Sequence, residues 1–310
     1  MTWYGLASVK TAGAVRTALV FDGRLFDLER TAESLSASID WARSSVDELL
    51  VRWTDVSPQL DRLAEDAAAA LSGLEELAVG PNDLAPPLRP GRFFCAAANY
   101  VEHANEMGTV LAAKSDSNPY MFIKPDTSLI GHNDTVIMPA ASAQIDWEIE
   151  LAAVIGHEAR HVGVEEALSY VAGYSVINDV SARDLNVRDD YPFKMDWLQG
   201  KCFDTFAPLG PWFVPSSCIA DPHNLQMELA VNGEVMQDAN TGAMIFDIRE
   251  QIAYLSSILT LKPGDVLATG TPTGVGMARG IYLKPGDVMT ASIESIGTLR
   301  NPVAAESRQK

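Results

Sequence analysis

The chain has 310 residues, 47% hydrophobic and 21% charged, the make-up of a soluble globular protein with room for one large domain and a smaller one. Its net charge of −18 disfavours nucleic acid and anionic membranes as partners, and no run of about 18 apolar residues offers a membrane span. Cys95, Cys202 and Cys218 are few and far apart, which fits neither a disulfide framework nor a zinc ribbon; with no basic region and apolar stretch at the N-terminus, a cytoplasmic protein in a reducing compartment is expected.

Residues 1–30 read as short strands, with 18–21 and 25–28 flanking the hairpin signal Asp22-Gly23. Two helices follow. Within 42–53, Val46, Leu49, Leu50 and Trp53 recur at spacings of three and four, and 60–77 is rich in Ala, Leu and Glu. The proline-rich stretch 81–91 breaks the pattern. A boundary is placed there between a small α+β N-terminal domain, residues 1–89, and a second domain, residues 90–310; a long surface loop within one domain is the alternative. Beyond it, strands are expected at 92–97, 135–138, 148–155, 174–179, 225–231, 266–269 and 288–293. Helices are expected at 100–108, 164–171, 181–187 and 248–257. Many short strands punctuated by Gly and Pro suggest a mixed β-roll or barrel.

In Asp146-Trp147-Glu148-Ile149-Glu150-Leu151 the chain enters an apolar run, and strand alternation puts Glu148 and Glu150 on one face. Two like charges side by side cost stability unless a cation lies between them. Asp179 ends another apolar strand, Tyr174-Ser175-Val176-Ile177-Asn178-Asp179. Three carboxylates without His or Cys make a hard-oxygen site for Mg²⁺ or Mn²⁺, with Ca²⁺ also compatible. The same residues could instead line a solvated sheet face, with Asp179 capping a helix from Ser181.

His157-Glu158-Ala159-Arg160-His161 has the spacing of a zinc-protease helix. A strand ends at Gly156 and Gly163 follows closely, so a polar strand-to-helix loop is expected there and not a zinc site.

Several segments then combine in one order. They are Asn99-Tyr100-Val101-Glu102-His103-Ala104-Asn105-Glu106, Phe122-Ile123-Lys124-Pro125, Trp147-Glu148-Ile149-Glu150-Leu151 and Asn178-Asp179-Val180-Ser181-Ala182-Arg183-Asp184, followed by Gly200-Lys201-Cys202-Phe203-Asp204-Thr205-Phe206-Ala207-Pro208-Leu209-Gly210-Pro211, Val231-Asn232-Gly233-Glu234 and Thr269-Gly270-Thr271-Pro272-Thr273-Gly274-Val275-Gly276. In this order they resemble the fumarylacetoacetate hydrolase family over residues 90–303, with 1–89 similar to the variable N-terminal domain of bacterial members. The resemblance implies a mixed β-roll catalytic domain and a homodimer. It also implies Glu148, Glu150 and Asp179 as metal ligands, a His103–Glu106 dyad that activates water, and Lys201 facing the reacting carbonyl. Arg183 would clamp a substrate carboxylate, and Asn186, Tyr100, Gly270 and Thr271 complete the implied substrate set. Many members carry Gln where this chain has Asn186, so the pocket differs from theirs.

The function so implied is hydrolysis of a C–C bond in a small 1,3-dioxo acid of the acylpyruvate or fumarylpyruvate type. The same apparatus without the attacking water would support decarboxylation, isomerisation or lyase chemistry on a 2-oxo acid. A non-catalytic binding member is the alternative from another class, and the complete set of dyad, lysine and carboxylates argues against it.

Overall fold

A fully buried strand, Ile149–Ile155, lies at the centre of the molecule, apolar apart from Glu150 because both of its faces are covered. The structure is a computed structural model that describes residues 2–11, 13–80, 82–106, 108 and 110–307. The expected spans 81–91, 100–108 and 90–310 therefore include Pro81, Met107, Thr109 and residues 308–310, which lie outside the described residues.

The central strand belongs to an 11-stranded sheet. Its main path runs Arg24–Asp27, Ala14–Phe21, Gly5–Thr11, Ala207–Pro215, Val171–Asn178, Ile149–Ile155, Val266–Ala268, Phe93–Ala97 and Tyr120–Lys124. Ala152, Val154, Ile177 and Phe213 face the N-terminal helices and share a core with Leu49, Val56 and Leu60. Leu151, Ala153, Ile155 and Val176 face the other way, into a core shared with the helix Ile248–Ile258 and a 5-stranded sheet built on Gln226–Val231 and Val288–Ile293. The fold is mixed α+β, and among the described residues the sheets do not close into a barrel. No helix among them is long and apolar enough to cross a membrane.

The Asp22-Gly23 hairpin forms as read. Phe21 pairs with Arg24, and both turn residues have positive φ, 49° and 76°, as a type I′ turn requires. The first helix is shorter than expected and the second begins earlier, at Trp53 instead of Leu60. A capping box between Ser45 and Glu48 starts Val46–Val51, Arg52 leaves helical geometry, and Trp53–Ala69 stops well before Leu77, giving way at Leu71–Gly73 to a single 3₁₀ turn.

The helix expected at 181–187 is absent. Ser181–Ala182 instead pairs with Ile145–Asp146, and only Arg183–Leu185 makes one 3₁₀ turn. Its backbone bonds are spent across strands, Arg183 N donating to Gln144 O at 2.9 Å. The strand Ala207–Pro215 lies outside the expected strands, and it carries three prolines, Pro208, Pro211 and Pro215, which donate no ladder hydrogen bond.

Candidate active site

The antiparallel register of Ile149 with Asn178 carries Glu148 opposite Asp179, just past the ends of two neighbouring strands. Asp179 N donates to Glu148 O at 2.9 Å, and Glu148 N donates to Asn178 Oδ1 at 2.9 Å. Glu150, two residues along, shares the face of Glu148. All three carboxylates are buried, with an oxygen of each within 4.8 Å of the others.

Gly270 N donates to Glu150 Oε2 at 2.7 Å. This close approach needs glycine: φ is +102°, and a Cβ would meet Asn99 Cβ at 2.6 Å. Glu150 Oε1 is buried with no hydrogen-bond partner. Burial, reinforced by Asp179 and Glu148, pushes the Glu150 carboxyl well above its ordinary range. An orphaned buried oxygen in an all-oxygen donor set fits a hard divalent cation such as Mg²⁺, Mn²⁺ or Ca²⁺. No other group of three or more His, Cys, Asp or Glu side chains gathers this way among the described residues.

Three cations surround the triad. Lys201 Nζ donates to Glu148 Oε2 at 2.5 Å and to Asp179 Oδ2 at 2.7 Å. Lys124 Nζ pairs with Asp179 Oδ1 and donates to Val180 O at 3.1 Å. Arg183 Nε donates to Asp146 Oδ2 at 2.8 Å, while its Nη2 comes 2.6 Å from Glu148 Oε1 without hydrogen-bond alignment. Burial alone would raise the Glu148 carboxyl, but Arg183 and Lys201 together outweigh it and hold it below its usual value. Four carboxylates thus face three cations, so the ionised cluster is one charge short of neutral, and a divalent cation would make it positive. Removing one partner of so buried a pair costs about 3–5 kcal/mol.

His103 lies in the same cavity, on the helix Val101–Glu106. Its Nδ1 is 3.0 Å from Glu106 Oε1. Glu106 Oε2 accepts from Thr273 Oγ1 at 2.6 Å and from Gly274 N at 3.0 Å, so one carboxylate ties the imidazole to the glycine loop. Burial raises Glu106, but the hydrogen bonds from His103, Thr273 and Gly274 outweigh it and hold it ionised. Gly274, at φ +102°, has no room for a Cβ, which would fall 2.1 Å from Met236 O.

The cavity holds about 470 Å³. Besides His103, Lys201 and the triad, it is lined by Arg183, Asn186 and Thr271 from the expected substrate set, and by an aromatic wall in which Trp197 packs 4.7 Å from Phe122 and 5.6 Å from Tyr120 between ring centroids. Tyr100 departs from expectation. It is 2% exposed and absent from the lining, its hydroxyl donating to Met227 Sδ at 3.6 Å, because the strand-to-helix corner turns the ring into the core. Gly270 and Thr271 also differ in role from a substrate-donor loop. The Gly270 N–H goes to Glu150, and the Thr271 hydroxyl donates to Ile149 O and accepts from Gln237 Nε2, each at 2.9 Å.

Asp146, Lys124 and Gln237 join the site from outside the residues expected to form it. Asp146 accepts from Gly276 N at 2.7 Å and Met277 N at 3.0 Å while holding Arg183. Gln237 accepts from Ile149 N at 3.0 Å and donates to Pro272 O at 2.9 Å, joining the triad strand to the glycine loop. Lys124 had a signal, a lone lysine ending an otherwise uncharged strand, Tyr120–Lys124.

His157 and His161 lie outside this cavity, in non-helical chain. His157 Nδ1 is 3.1 Å from Thr54 Oγ1, and His161 has φ 54° with its N–H donating to Ser256 O at 3.0 Å.

Residues 92–304 match the family model described as Fumarylacetoacetate (FAA) hydrolase C-terminal. The chain is 44% identical over 222 residues to the mitochondrial oxaloacetate tautomerase Fahd2a of Rattus norvegicus, covering 71% of this chain and 68% of that protein. It resembles the solved structure of fumarylacetoacetate hydrolase from psychrophilic Exiguobacterium antarcticum, with 32% identity and a TM-score of 0.76 over 98% of this chain and 100% of that one. It also resembles maleylpyruvate hydrolase from Sphingobium sp. SYK-6 in complex with manganese(II) and pyruvate, with 29% identity and a TM-score of 0.72 over 98% and 100% of the two chains.

Proposed function

The chain belongs to the fumarylacetoacetate hydrolase family, and we propose that it acts on a small 2-oxo acid bound beside Glu148, Glu150 and Asp179, moving a proton at the carbon next to the carbonyl. The observation that carries this reading is the orphaned, buried Glu150 Oε1 within reach of two further carboxylates, in the same cavity as a carboxylate-held imidazole. A divalent cation, Mg²⁺ or Mn²⁺, would supply Lewis acidity toward the substrate's carbonyl and carboxylate oxygens. Ionised Glu106 accepts the Nδ1 proton of His103, which leaves Nε2 as the base. Lys201 places an ammonium where negative charge grows on the carbonyl oxygen, and Arg183, held in place by Asp146, orients the substrate carboxylate.

Keto–enol interconversion is the first activity expected, in keeping with the 44% identity to an oxaloacetate tautomerase. Cleavage of an acylpyruvate is the second reading, with His103 activating water. It is favoured by the apolar wall of Leu111, Met195 and Trp197, which offers room beyond a four-carbon acid. A homodimer is proposed on the exposed apolar side chains Tyr191, Phe193 and Leu198, which light scattering would test.

The test is to follow the decay of enol oxaloacetate, and pyruvate release from acetylpyruvate and fumarylpyruvate, with and without Mn²⁺. Cation-dependent acceleration of either supports the reading. Acceleration of neither would overturn it.

A further inference from the structure

Beside the catalytic cavity lies a second one of about 410 Å³. The two adjoin along Ala97, Ala98, Leu111 and Tyr120, which line both. A chain leaving the triad past Leu111 and Tyr120 would enter the second cavity directly. Val101, Val110, Ala112 and Ile245 give it further hydrocarbon walls. Val101, Val110 and Leu111 are 56%, 96% and 40% exposed, large apolar groups left facing water at the mouth of a polar site.

Apart from Asn105 and the hydroxyl of Tyr120, its polar side chains lie at the other end. Lys114, Ser117 and Asn118 also line a third, outer cavity that shares no residue with the first. Lys114 is the one charged residue among the described lining of the second cavity, and its charge is already met. Its Nζ donates to Glu250 Oε2 at 2.8 Å and lies 5.5 Å from the centroid of the Phe246 ring. A carboxylate entering here would lie among Val101, Leu111 and Ile245 and meet a lysine already paired with Glu250, so it would gain little to offset the water it gives up. A hydrocarbon chain would cover the exposed valines and leucine at no such cost.

We propose that the second cavity is the substrate's tail site, and that among 2-oxo acids longer than the four carbons of oxaloacetate it selects those bearing an apolar acyl or alkyl chain over those ending in a second carboxylate. This rests on the reading of the triad as the seat of the 2-oxo acid.

Calorimetry on the Mn²⁺-loaded protein tests it with 2-oxobutyrate, 2-oxohexanoate and 2-oxooctanoate, and with the 2-oxo diacids of six and eight carbons. Affinity should rise about three- to fourfold for each methylene that enters the cavity. Each diacid should bind at least about tenfold more weakly than the monoacid of equal length, the cost of desolvating a carboxylate without a partner. Val110→Asp and Ala112→Asp, both at exposed positions, should flatten the length dependence and leave 2-oxobutyrate binding unchanged. A flat series in the parent, or diacids bound more tightly than monoacids, would overturn the tail site while the triad reading stands. Failure of 2-oxobutyrate itself to bind would overturn both.

Discussion

The loop at His157–His161 and the strand ends at Glu148, Glu150 and Asp179 are two regions whose sequence signals point opposite ways from their structures. The loop carries a spacing famous for zinc, yet one histidine is engaged by Thr54 and the other sits at positive φ, because two histidines four apart face one another only on a helix. The pair Glu148 and Glu150 is weak as a motif. It gains meaning from a residue 29 positions after Glu150, brought opposite Glu148 by the register Ile149↔Asn178. Ligand geometry is a property of the backbone that presents the groups, and spacing counts only when that backbone has the matching period.

Substitutions should affect the two regions very differently. Asp179→Asn or Glu150→Gln should weaken Mn²⁺ binding by more than the about hundredfold that outer-shell changes cost, and turnover should fall with it. Titration followed by the Mn²⁺ electron paramagnetic resonance signal reads this directly. His103→Ala should lower turnover at least about a hundredfold while Mn²⁺ affinity holds, separating proton transfer from cation binding. Arg183→Met should chiefly raise KM and Lys201→Met chiefly depress kcat, each by about ten- to hundredfold, the worth of a charge-assisted hydrogen bond. Steady-state kinetics on the best substrate sort the two.

A subtler test concerns protons. Because its folded-state carboxyl is raised, Glu150 contributes stability that is present below its ordinary value of about 4.3 and lost as pH rises through the raised one. Cation binding at a pH below that raised value must therefore displace the proton, and Mn²⁺ affinity should weaken as pH falls. Calorimetry in two buffers of different ionisation heat would count the released proton; no release would mean that Glu150 is already ionised. The smallest effect belongs to the loop: His157→Ala combined with His161→Ala should change Mn²⁺ affinity and turnover by less than about twofold, as for a surface change away from the site.

Much of this arrangement was legible because it rests on local periods. Alternation in Glu148-Ile149-Glu150 and the apolar run after it located the triad strand, and the hairpin at Asp22-Gly23 followed from its dipeptide. The parts that were not legible depend on pairing across the chain. Ser181–Ala182 looks helical until Ile145–Asp146 takes its hydrogen bonds. Tyr100 looks like a lining residue until the corner at Ala98, with φ 51°, turns its ring into the core. Lys124 and Asp146 complete the charge balance from elements whose neighbours no local pattern reveals.

Oxygen ligands at two strand ends, and not the histidine loop, are the proposed seat of the cation. Crystals grown with Mn²⁺ and measured at a wavelength where manganese scatters anomalously test it most directly. One strong anomalous peak enclosed by Glu148, Glu150 and Asp179 is expected. A peak between His157 and His161, with none enclosed by Glu148, Glu150 and Asp179, would contradict it.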